Sequence, residues 1–135
     1  MNDAASSRPG DGRVRVVRRV QISSLAISVP PRVLTNSDLE AMVDTSDEWI
    51  LKRTGVRERH IADAGVATSD LAAEAARGAI AQAHLTPSDI EFLVVGTTTP
   101  DMFFPSTACL VQDKIGAGAA WGFDLAPPVP GSPTP

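Results

Sequence analysis

IEFLVV, residues 90–95, decides the reading of this chain, with five apolar residues out of six. An unbroken apolar run of this length is what a strand shows when both of its faces are covered, as in parallel sheets. Helices are therefore predicted on both sides of it. The neighbouring segments supply them. TSDLAAEAARGAIAQA (68–83) is alanine-rich, starts at a cap candidate (Thr68 or Ser69) and places Leu71, Ala75, Ala79 and Ala83 along one narrow stripe. STACLVQDKIG (106–116) reads as a second helix, capped by Ser106 and stopped by Gly116, and AAWGFDL (119–125) as the next strand.

Further upstream, TSDEWILKRTG (45–55) has well-marked helix ends. Thr45 or Ser46 is the cap, Asp47 and Glu48 suit the positive end of the dipole, Lys52 and Arg53 the negative end, and Gly55 the stop. TNSDLEAMV (35–43) opens on cap residues Thr35 and Asn36, VRERHIA (56–62) suggests a short strand, and TPSD (86–89) another capped turn. Alternation of Val and Ile with Arg, Gln and Ser from Arg13 to Val29 predicts a strand closed by Pro30-Pro31, with the arginines at 13–19 on its solvated face. Residues 1–12 are expected to be a disordered leader. The order of elements is that of an α/β protein.

The chain has 135 residues, 43% hydrophobic and 21% charged, enough for one core or part of one that hides about two-thirds of the unfolded surface. Its formal charge of −4 conceals a basic arm: residues 1–20 hold five Arg against two Asp. No aromatic residues interleave with those arginines, so the pattern does not suggest nucleic-acid binding. VQISSLAISV (20–29) is too polar for an export signal and no stretch is apolar enough for a membrane span. A lone Cys109 and the absence of any Cys/His cluster point to a cytoplasmic protein with neither disulfide nor metal site.

Several residues invite a chemical reading. Thr45, Trp49 and Arg53 recur at intervals of four, which would set a hydroxyl, an indole and a guanidinium in one row. Such a row could stack a purine and meet a phosphate; spacing alone favours the plainer reading, in which Trp49 lids the core with Arg53 lying beside it. GAGAAWG (116–122) is not a phosphate loop, because it follows a helix and precedes a strand. Cys109 is expected to be inert packing within its helix, and His60 a hydrogen-bond or salt-bridge partner; His84 has no ligand-like neighbours, and Asp47 with Glu48 serve the helix dipole.

DTSDEWILKRTGVRERHIA (44–62), followed in order by TTTPD (97–101), FPSTACLVQDKIG (104–116) and FDL (123–125), resembles β-ketoacyl-acyl-carrier-protein synthase III of the thiolase-like condensing enzymes, over residues 14–126. The resemblance implies a thiolase-like αβαβα fold, here incomplete and limited to most of the N-terminal half. It implies an acyltransferase of fatty acid biosynthesis that works as a homodimer. In that reaction a cysteine takes an acyl group from coenzyme A, and a malonyl-acyl-carrier protein decarboxylates and attacks the thioester in a Claisen condensation. Coenzyme A thioester is then a substrate and no cofactor is tightly bound.

By the resemblance, Thr45, Trp49 and Arg53 match the positions that hold the adenine and phosphate end of coenzyme A, Phe104 matches the aromatic residue lining the acyl pocket across the dimer interface, and Cys109 matches a structural position. The family nucleophile does not carry over: its position is Val129, and the partner His and Asn belong to a second half. Residues 127–135, PPVPGSPTP, can be written as the family's cysteine motif shifted by one base, so a frameshift is the expected origin of this tail. Prolines there resist the helix that should carry the nucleophile. The chain is thus expected to be inactive, with strands 90–95 and 119–125 short of cover. A polyketide-priming acyltransferase and a non-catalytic fragment that keeps coenzyme A binding or dimerisation are the alternatives.

Overall fold

A computed structural model of the chain describes residues 20–126. The expected leader at 1–12, the arginine-bearing segment 13–19 and the tail at 127–135, with Val129, lie outside the described residues. The elements run β1 (Val33–Thr35), α1 (Asn36–Glu40), α2 (Asp47–Thr54), β2 (Glu58–His60), α3 (Thr68–Gln82), a single 3-10 turn (Pro87–Asp89), β3 (Phe92–Gly96), α4 (Thr107–Ile115) and β4 (Trp121–Leu125).

β3 and β4 are parallel neighbours joined through α4, with Phe92 opposite Trp121, Val94 opposite Phe123 and Gly96 opposite Leu125. A parallel pair requires such a crossover, since a tight turn can only return a chain antiparallel. The inward residues Leu93 and Val95 meet a cluster of Ala73, Val111, Ile115, Ala117 and Ala120, widened by Ala72, Ala76, Ile80 and Ile90. Small residues at the contact bring helix and strand close together. A Cβ added at Gly122 would stand 3.2 Å from the Cβ of Ala108.

The buried stripe of α3 differs from the expected one. Ser69 and Ala73 are buried, with Ala76 and Ile80 continuing toward the core, while Leu71, Ala75, Ala79 and Ala83 are only half-covered. Alanine on every side gives the helix a weak apolar direction, so its rotation is set by what it packs on. The cap also shifts by a residue. Ala67 is the N-cap, and the Asp70 carboxylate accepts its backbone N–H at 2.9 Å.

Ser-Asp recurs at 37–38, 46–47, 69–70 and 88–89. In three of these copies the aspartate reaches back to the N–H of the cap residue, from Asp38 to Thr35, Asp70 to Ala67 and Asp89 to Thr86. In α2 the serine is itself the cap, and Ser46 Oγ accepts the N–H of Trp49. Thr35 caps α1 in the same way, accepting from Asp38, and Asn36 turns inward instead. Gly55 and Gly116 end α2 and α4 with φ of +69° and +79°, the left-handed region that costs glycine nothing.

Two expectations about strands need correction. First, residues 20–29 enter no ladder among the described residues; the first strand described is β1, beyond Pro30-Pro31, antiparallel to β2 with Val33 opposite His60. The alternation that suggested a strand is real, because Ser24, Ala26 and Ser28 are half-covered while Leu25, Ile27 and Val29 point outward. A strand also needs a partner, and none is present among the described residues. Second, among the described residues β3 is covered on one face only. Phe92, Val94, Trp121, Phe123 and Leu125 lie exposed on the other, with Trp121 77% accessible. Phe92 and Phe123 meet edge to face across it, ring centres 5.4 Å apart. The apolar run at 90–95 foretold two covered faces, and the described helices supply one.

Candidate functional site

The ends of α2 place the predicted row. Trp49 and Arg53 are one turn apart on the helix, and the Arg53 guanidinium lies 5.2 Å from the centre of the indole ring, a cation–π distance. Thr45 is not on the helix, since it precedes the cap Ser46. It joins the row from the approach to the helix, where Asp44, Thr45, Ser46 and Trp49 line an open cleft of about 340 Å³. The competing reading of Trp49 as a core lid does not fit its 54% exposure; Ile50, the next residue, is the buried one. An indole face open to solvent, a guanidinium on one side and hydroxyls at the cleft wall can stack a planar ring and bind an anion together.

Beneath this surface the first turn of α2 is pinned from α1. The Asp47 backbone N–H donates to Glu40 Oε1 at 2.6 Å, and Asp47 Oδ1 accepts from Asn36 Nδ2 at 2.6 Å. Asp47 and Glu48 stand in the first turn and Lys52 and Arg53 in the last, as the dipole favours. His60 Nδ1 lies 2.7 Å from the Pro30 carbonyl oxygen, which makes it the hydrogen-bond partner expected. His84 is in a left-handed turn, φ +56°, after α3.

Phe104 sits on the loop before α4 and is 85% exposed beside a fully exposed Phe103. That loop is tied to the start of α3. Asp101 Oδ1 accepts the Ser69 N–H at 2.9 Å and the Thr68 hydroxyl donates to the Thr99 carbonyl at 2.7 Å. At its far end α4 begins against a carboxylate from β4: Asp124 accepts the backbone N–H groups of Thr107 and Ala108, each at 2.7 Å. The aspartate of FDL therefore closes the positive end of α4, a role that its position in the sequence does not reveal.

Cys109 is not packed as expected. It is exposed, on the outer face of α4, where the Ser106 hydroxyl donates to its sulfur at 3.2 Å. The buried face carries Thr107, Ala108, Val111 and Ile115, which leaves position 109 outside. Lys114 bridges the two long helices, with Nζ 2.6 Å from Asp70 Oδ1, while Arg77 donates to the Lys114 carbonyl. Among the described residues no cluster of three or more His, Cys, Asp or Glu could hold a metal ion, and no helix is long and apolar enough to cross a membrane.

No protein-family profile matches the chain. Individual relatives do. β-Ketoacyl-acyl-carrier-protein synthase III of Koribacter versatilis is 59% identical over 110 residues, which is 82% of this chain and 33% of the relative. The crystal structure of 3-oxoacyl-acyl-carrier-protein synthase III from Aquifex aeolicus superimposes with a TM-score of 0.74 at 43% identity, covering 78% of this chain and 34% of that one. The priming β-ketosynthase of a polyketide biosynthetic pathway also reaches a TM-score of 0.74, at 30% identity over 79% of this chain and 32% of its own. The architecture is accordingly a partial thiolase-like α/β fold, and the exposed face of β3 and β4 belongs to a chain spanning about a third of the length of its relatives. With identity this high over the shared region and the same fold beneath it, the chain is a partial-length homologue of the β-ketoacyl-acyl-carrier-protein synthase III family.

Proposed function

We propose that this chain corresponds to the part of a β-ketoacyl-acyl-carrier-protein synthase III that grips the adenine and phosphate end of coenzyme A, in a cytoplasmic, homodimeric enzyme of fatty acid biosynthesis. The observation that carries the reading is the Arg53 guanidinium over Trp49 beside the cleft at Thr45. The indole stacks the adenine, Arg53 neutralises phosphate, and Thr45 hydrogen-bonds the nucleotide from the cleft wall. Phe104, exposed on a loop anchored through Asp101, is the residue offered to the acyl pocket of a second subunit. Acyl-carrier protein is the second partner, and no cofactor is held tightly.

The whole enzyme would join acyl-coenzyme A to malonyl-acyl-carrier protein by decarboxylating Claisen condensation. The 135-residue chain has one thiol, Cys109, on the outer face of α4 with no basic group among the described residues bonded to it, and Val129 at the family nucleophile position. On its own it binds but does not condense. Calorimetric titration with coenzyme A should show binding that Trp49→Ala weakens by about five- to thirtyfold, as loss of a stacking and cation–π platform of about 1–2 kcal/mol dictates. Mixing the chain with acetyl-coenzyme A and malonyl-acyl-carrier protein should give no product. Undiminished binding by the Trp49 variant, or measurable condensation, would overturn the assignment. The fit to a polyketide-priming ketosynthase keeps that pathway as the second reading, distinguished by which acyl thioester the whole enzyme prefers.

A further inference from the structure

Asn36 is the deepest polar side chain near the cleft, 2% exposed although its helix has only five residues. All of its main hydrogen-bonding capacity is used. One or the other N–H of its amide reaches Asp47 Oδ1 at 2.6 Å and Val56 O at 3.0 Å, and its carbonyl accepts from Arg59 Nη1. The amide cannot be turned over, because a flip would set its oxygen against a carboxylate and a carbonyl. Its two acceptors bracket α2. Asp47 is the first residue of the helix and lies between Thr45 and Trp49; Val56 follows Gly55, the left-handed stop. A side chain that touches the entrance and the exit of an eight-residue helix fixes how that helix is rotated, and rotation decides where the Trp49 face points.

We propose that Asn36, backed by Arg59, is a positioning residue for the nucleotide end of the ligand: through Asp47 and Val56 it sets the rotation of α2 that holds the Trp49–Arg53 stack beside Thr45. This rests on the coenzyme A reading of the cleft. Asn36 touches no ligand itself. Its effect should fall on the adenine-bearing half of coenzyme A, which meets α2, and spare the pantetheine arm.

The test uses the 135-residue chain carrying Trp121→Phe, which leaves Trp49 as the sole indole. Asn36→Asp keeps the shape and the Arg59 contact but replaces both donors with an acceptor. Arg59→Gln removes one strong bond and leaves the asparagine in place. Each protein is titrated calorimetrically with adenosine 3′,5′-bisphosphate and separately with pantetheine, and Trp49 is probed by acrylamide quenching without ligand. Asn36→Asp should weaken the bisphosphate by about tenfold or more, as displaced positioning groups generally do, with pantetheine unchanged and quenching increased. Arg59→Gln should fall between it and the parent.

A folded Asn36→Asp protein that binds the bisphosphate as tightly as the parent overturns the inference, as does an equal loss of pantetheine. Should Asn36→Asp fail to fold by far-UV circular dichroism, Arg59→Gln decides: unchanged bisphosphate affinity and quenching overturn it. A parent that binds no bisphosphate brings down the reading of the cleft and the inference together; a parent that binds while the variants match it brings down the inference alone.

Discussion

Around Asn36, residues 33–60 are held by side-chain hydrogen bonds between short elements, whereas residues 68–125 are held by alanine, valine and isoleucine packed between two helices and a sheet. The first region closes on itself. Its buried amide is satisfied within the region and, among the described residues, its strands pair with each other alone. Among the described residues the second region is finished on one face and bare on the other, where Phe92, Trp121 and Phe123 look outward. A polar hub completes itself with a few residues, but a parallel sheet needs a layer on each side. The contrast explains how a chain about a third the length of its relatives can carry a well-formed open cleft at Thr45 and Trp49 and an uncovered sheet face together.

Two substitutions set the regions against each other. Asn36→Ala leaves Asp47, Val56 and Arg59 without their shared partner and should lower unfolding free energy by about 3 kcal/mol. Val111→Ala, at the centre of the apolar cluster, should lower it by about 2 kcal/mol through lost burial and a small cavity. Urea titrations followed by circular dichroism read both. If the valine variant were the weaker of the two, the hub would not be the stiffer half.

A smaller loss is expected at the junction of α4 and β4. Asp124→Ala frees two N–H groups at the start of α4 and should lower unfolding free energy by about 1.5 kcal/mol, the range for losing a charged helix cap. An unaltered urea midpoint would mean that water replaces the carboxylate there.

Acid should distinguish the regions least. The Thr35 hydroxyl and then the Thr35 N–H hold Asp38 below the usual carboxylate range, Thr86 does the same for Asp89, and the Lys114 ammonium, then the Ala67 N–H, hold Asp70 there. Each carboxylate is depressed in the folded state. Its contribution is therefore complete above the ordinary value, about pH 4, and is lost as pH falls through the lowered one. All three are exposed, so the loss should be gentle. Replacing the three with asparagine should flatten the acid limb of the stability profile; an unchanged limb would show that the caps do not titrate with folding.

Much of this arrangement can be read from single residues. Ser46, Ser106, Gly55 and Gly116 mark their helix ends correctly because a cap depends on local backbone geometry alone. Spacing brought Trp49 and Arg53 together for the same reason, and missed only that Thr45 stands outside the helix. What failed depends on neighbours far along the chain. The phase of α3 is invisible in a helix that is alanine all round; the exposure of Cys109 follows from where Asp124 and β4 seat α4; residues 20–29 alternate like a strand but have no partner among the described residues. Asn36 looked like a cap and proved to be a buried hub, since Thr35 had already taken the capping role.

Gly78 lies inside α3, where glycine weakens a helix by about 1 kcal/mol relative to alanine. A methyl group there would come within 3.0 Å of the Ala26 Cβ, in the segment running over the helix. The helix thus surrenders intrinsic stability to admit the Ala26 methyl of another segment, and position 78 senses whether that segment is in place. Were residues 20–29 displaced, the reason for tolerating glycine would vanish and alanine would become the better occupant. Sequence drift at this one site, followed across descendants of the gene, would record whether the amino-terminal strip still rides on its groove.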